Sequence, residues 1–149
     1  EFSYGTVYGV NGSTIILTDG TNLTTNDAHM INIDGTSIQA GEVIAYSPEG
    51  DTTPDLIVYG LAEVPEVSSV TGIGTTTTVT IIRDINKIHV ELSKTSGDAW
   101  TATTGYSLKV TYANQNAVIV NGVHNGTTIE FDFNATADID SMEISYSAS

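Results

Sequence analysis

From one end to the other the chain alternates apolar and polar residues with a period of two. No stretch keeps apolar residues at helical spacing over three turns. A chain of this pattern can present a continuous apolar face only as strands, so the predicted fold class is all-β. With 149 residues, 40% of them hydrophobic, it is long enough to bury one ordinary core or two small ones.

Turn chemistry divides the alternating runs. "YGTVYGV" and "STIILTD" flank Asn11-Gly12, which predicts a type I′ hairpin. Further runs at "HMINIDG", "GEVIAYS" and "DLIVYG" complete five or six short strands before residue 61, at spacings that predict a small closed β-barrel. Residues 61–67, "LAEVPEV", carry Pro65 and no turn glycine, and read as a stiff connector. Beyond it, seven runs from "SSVTGIG" to "SMEISYS" predict an immunoglobulin-like β-sandwich. The expected domains are therefore a barrel at 1–62 and a sandwich at 63–149.

Charge narrows the function. Four cations stand against 18 acids, for a net charge of −14, and all four cations lie beyond residue 64. Nucleic-acid binding is excluded as the main role, because affinity for a phosphate backbone comes from clustered Lys and Arg. Cysteine is absent, so disulfides, thiol nucleophiles and Cys-ligated metals are excluded. No long apolar run predicts membrane insertion and no signal peptide is visible, so the chain reads as a mature protein or, in preference, a piece excised from a longer one. The polar surface is built from Thr, Ser, Asn and Gly, with 23 Thr, a texture of secreted surface and filament proteins.

The run at 5–59, "GTVYGVNGSTIILTDGT…INIDGTSIQAGEVIAYS…", resembles a small β-barrel module of surface proteins that carry S-layer homology domains. There a "GTV-x-x-V-N-G-x-T-I-x-L-T-D-G-T" hairpin precedes an "I-D-G" turn and a "G-x-V" strand. The resemblance covers about a third of the chain. It implies an extracellular module of an S-layer or other cell-surface protein, followed here by an Ig-like spacer, and it implies no catalytic residues.

No nucleophile elbow, zinc-protease helix or phosphate loop occurs, and the chain is expected not to be an enzyme. His89, in "KIHVEL", reads as a structural strand residue, and His29 and His124 as surface residues near turns. Calcium is the expected ligand if there is one, because Asp, Glu and carbonyl oxygens at turns suit a hard cation. Its candidate ligands are Glu49, Asp51 and Asp55 in "PEGDTTPD", and Asp132, Asp138 and Asp140 in "DFNATADID". Trp100, Tyr106 and Tyr112 are the candidate platform for a polysaccharide. Asn11, Asn22, Asn125 and Asn134 head glycosylation sequons, and Lys87, Lys94 and Lys109 are candidates for an isopeptide cross-link.

The leading expectation is a non-enzymatic structural module that self-associates or packs against neighbouring surface-protein domains, with calcium bridging carboxylates. A carbohydrate-binding or adhesion module is the rival, and a virus or phage structural protein a third reading.

Overall fold

A computed structural model describes residues 2–148; Glu1 and Ser149, the outer bounds of the two expected domains, lie outside the described residues. The chain divides into two compact units, Glu1–Leu61 and Ala62–Ser149. Among the described residues the secondary structure is all β, with no helix long and apolar enough to cross a membrane.

In the first unit β1 (Ser3–Asn11) is the organising strand. Its first half, Ser3–Thr6, pairs with β5 (Val43–Ser47), and its second half pairs with β2 (Thr14–Leu17) after a register slip between Val7 and Gly9. Asn11 pairs with Thr14, so the hairpin loop is Gly12-Ser13, and only Gly12 has a positive φ, +63°. A type I′ turn needs positive φ at both central residues, so the turn follows the type II′ pattern with Gly first. β3 (Asn22–Thr24), β4 (His29–Asn32) and β6 (Leu56–Tyr59) complete one sheet of order β3-β2-β1-β5-β6-β4. Val7, Ile15, Leu17, Leu23, Ile44, Tyr46 and Ile57 form its core.

The closed barrel expected for this segment is not formed: β3 and β4 are the two edges of an open sheet. The reason is local. The Thr24 amide donates to the Thr52 carbonyl, so the loop between β5 and β6 occupies the outer edge of β3, while the bond from the His29 amide to the Asp55 carbonyl continues the parallel β4-β6 pairing.

The second unit is a sandwich. One sheet has the order β11-β10-β14-β7 and the other β12-β13-β9-β8. The strands are β7 (Val67–Thr71), β8 (Thr77–Asp84), β9 (Lys87–Lys94), β10 (Tyr106–Tyr112), β11 (Ala117–Asn121), β12 (Val123–Asn125), β13 (Thr128–Asn134) and β14 (Ile139–Tyr146). Ile88, Val90 and Leu92 of β9 and Ile129 and Phe131 of β13 meet Leu108, Val110, Met142 and Ile144 from the other sheet in one core. Each of these strands therefore shows its alternate residues to the outside.

The expected seventh-run count becomes eight strands because "NAVIVNGVHN" changes sheets at Gly122. A Cβ there would lie 2.6 Å from Ile129 Cγ2 and 3.0 Å from the Phe131 ring, so only glycine lets the backbone cross the core wall at this point. Gly122→Ala is expected to cost about 1–3 kcal/mol through overpacking. A urea midpoint equal to that of the unaltered chain would refute this account of the crossing.

Candidate functional site

Strand parity builds the site. On β9 the inward series is Ile88, Val90 and Leu92, so His89 and Glu91 face out; on β13 Ile129 and Phe131 face in, so Glu130 and Asp132 face out. The antiparallel register then sets Asp132 opposite His89 and Glu130 opposite Glu91. Four chemically active side chains thus share one patch on the outer face of the β12-β13-β9-β8 sheet.

The imidazole sits at its centre. His89 Nδ1 lies 2.6 Å from Asp132 Oδ1, and Nε2 lies 3.1 Å from Glu91 Oε1 and 3.7 Å from Glu130 Oε1. A carboxylate only accepts, so Nδ1–H donates to Asp132, and in the absence of another cation Nε2–H donates to Glu91. The hydrogen bond that Asp132 accepts, then that which Glu91 accepts, raises the His89 pKa above the ordinary histidine value. The other oxygen of Glu130, Oε2, accepts from Asn125 Nδ2 at 2.7 Å and Thr128 Oγ1 at 2.9 Å. These two bonds, with a smaller contribution from His89, hold the Glu130 carboxyl below its ordinary range. A shallow cleft of about 340 Å³ opens beside the imidazole, bordered by Ile82, Lys87, Asp132 and Asn134.

Of the sequence-predicted ligands, Asp132 alone belongs to this patch. Among the described residues no three of Glu49, Asp51, Asp55, Asp132, Asp138 and Asp140 bring ligand atoms within 4.8 Å of one another. Asp51 Oδ1 is committed to the amide and hydroxyl of Thr53, and Asp138 Oδ1 accepts from the Glu63 amide. Glu49, Asp55 and Asp140 point into solvent. Asp51 thus builds its own turn, and Asp138 ties its turn to the start of the second unit.

The three aromatics are core residues, which corrects their reading as an exposed platform. Trp100 is 6% exposed, Tyr106 5% and Tyr112 4%. Trp100 and Tyr106 pack edge to face at 5.5 Å, and the Tyr106 hydroxyl donates to the Ala102 carbonyl. The indole N–H, by which a sugar would be held, is buried and, among the described residues, has no hydrogen-bond partner. The Trp100 carbonyl accepts from His124 Nε2 at 2.8 Å, which pins a histidine expected on the surface.

Glu91 and Glu130 are the residues that sequence reading missed, and His89 was expected to be merely structural. The available signal was parity: "HVE" on one strand and "EFD" on another each place two ionisable groups on the face opposite an apolar residue. Comparison with protein-family models, curated proteins and solved structures finds no match.

Two outcomes follow. In chelator, NMR titration of the imidazole protons should put the His89 midpoint above the ordinary value, and Asp132→Asn should lower it. Because the folded pKa is raised, this group's stabilisation is full below the unfolded pKa and disappears as pH rises through the folded one. A His89 midpoint at or below the ordinary value would contradict the geometry. Separately, Trp100→Ala should destabilise the second unit by about 3–5 kcal/mol in urea denaturation; a loss below about 1 kcal/mol would restore the exposed-platform reading.

Proposed function

We propose that the chain is a non-enzymatic, extracellular structural module of an S-layer-like cell-surface assembly, with the second unit as an Ig-like spacer. One observation carries this reading: the segment from Ala117 to Asn125 forms one edge of each sandwich sheet, β11 in one and β12 in the other, opposite the edges β7 and β8. It exposes Val118, Ile119 and Val123, the last at 64%, and it holds no Lys, Asp, Glu or Pro. Sheet edges in monomeric proteins are ordinarily blunted by charge, proline or bulges; an edge without these devices is suited to strand addition from a second copy.

The charge distribution supports controlled rather than indiscriminate association. At −14 the copies repel one another at long range, and a divalent cation such as calcium weakens that repulsion by binding the solvent-exposed carboxylates. The Thr- and Asn-rich surface and the hairpin resemblance at 5–59 support a surface location. The burial of Trp100, Tyr106 and Tyr112 gives no support to polysaccharide binding.

Sedimentation velocity over a range of protein concentrations, with millimolar calcium and with chelator, tests the proposal. The expected result is association that grows with concentration, strengthens with calcium and is abolished by Ile119→Lys. A monomer at every concentration in both buffers would overturn it.

A further inference from the structure

We infer that His89, Glu91 and Glu130 form a binding site for a divalent transition cation, with zinc as the best fit, and that Asp132 is its positioning residue. The site is complete within one chain, so it does not depend on the assembly reading.

Geometry is the first support. His89 Nε2, Glu91 Oε1 and Glu130 Oε1 all lie within 4.8 Å of one another. Zinc bonds of about 2.0–2.2 Å in tetrahedral array place ligand atoms roughly 3.3–3.5 Å apart. The two measured separations from Nε2, 3.1 and 3.7 Å, bracket that span.

The outer contacts are the second support, and they come from residues outside the ligand set. Asp132 takes Nδ1–H, which fixes the tautomer that directs Nε2 towards the two glutamates, the arrangement found behind metal-bound histidines. Asn125 and Thr128, at the β12-β13 turn, hold Oε2 of Glu130 and leave Oε1 on the histidine side. Both strands that carry the ligands are anchored by buried residues, so the ligand atoms stand on rigid elements.

Charge is the third. The register sets Glu91 directly across from Glu130, a like-charge pair that destabilises a sheet when uncompensated. The residues paired beside it, Thr80 on β8 and Val123 on β12, are neutral. Among the described residues the salt bridges to these carboxylates come from His89 alone. A cation bound at Nε2 takes the place of the proton and lies between both glutamates.

The donor set selects the ion. One imidazole nitrogen with two carboxylate oxygens suits zinc and its neighbours, whereas calcium takes six to eight oxygens, more than this patch supplies. Three protein ligands leave a fourth tetrahedral position for water.

Isothermal titration of the chelator-stripped protein with zinc chloride, with calcium chloride as comparison, tests the site. Expected is one zinc per chain, abolished by His89→Gln, weakened about 10- to 100-fold by Asp132→Asn, and unchanged by His29→Gln in the other unit. Calcium should not displace the zinc. Far-UV circular dichroism checks that each variant folds. Should a variant fail to fold, zinc titration of the unaltered chain decides: the His89 imidazole resonances must move, and saturate at one equivalent. Zinc binding retained in folded His89→Gln, or a His89 signal indifferent to zinc, would overturn the site; displacement by calcium would overturn the identity of the ion.

Discussion

The register between β9 and β13 is the constraint on which the chemistry of this molecule depends. It is set by the core, not by the polar residues. Val90 meets Phe131 and Leu92 meets Ile129 across the ladder, all of them fully buried. A slip of one residue would turn these side chains to water, at a cost of about 1.5–3 kcal/mol for each large apolar group. The same pairing sets His89 against Asp132 and Glu91 against Glu130 on the other face. Packing thus imposes the Glu91–Glu130 pairing, which electrostatics alone would resist, together with the favourable His89–Asp132 contact.

How the chain accommodates its acids elsewhere shows why that patch is unusual. Asp19, Asp34 and Asp51 each stand two residues before a threonine whose backbone amide donates to the carboxylate at 2.9 Å. For Asp19 and Asp34 this backbone bond is the largest cause of a lowered pKa. Backbone dipoles therefore do the work that Lys and Arg perform in more balanced proteins. Arg83 follows the same economy in reverse, donating to the carbonyls of Ala62 and Ile85. Around His89 the amides are already spent on the ladder, and three carboxylates converge on one imidazole.

Much of the fold was legible because period-two alternation is a direct image of one-sided burial. The alternation at "KIHVELSK" and "TIEFDF" reads out which residues face the core, and "all β" follows without any knowledge of pairing. Closure was not legible. Whether β3 meets β4 depends on the path of the 48–55 loop, whose Thr52 carbonyl takes the Thr24 amide of β3, and no local pattern encodes that path. The same holds for Trp100: beside "SGD" its sequence surroundings suit a loop, yet Gly126, from 26 residues further on, accepts its amide hydrogen and helps hold it in the core.

The candidate site marks the boundary between these two kinds of information. Face is a property of each strand and can be read from "HVE" and "EFD" singly. Partnership is a property of two strands 43 residues apart, as the His89–Asp132 bond shows. Of the acids that drew notice as turn ligands, Asp51 turns to the nearby Thr53 amide, Asp138 to the Glu63 amide far away in sequence, and Asp132 alone lies in the patch at His89. Glu91, Glu130 and Asp132, which meet at His89, lie in regular strands and direct their carboxylates to side chains and not to the backbone. For a chain with this excess of acid, the search for cation ligands is therefore better begun on the outer faces of central strands than in the acidic loops.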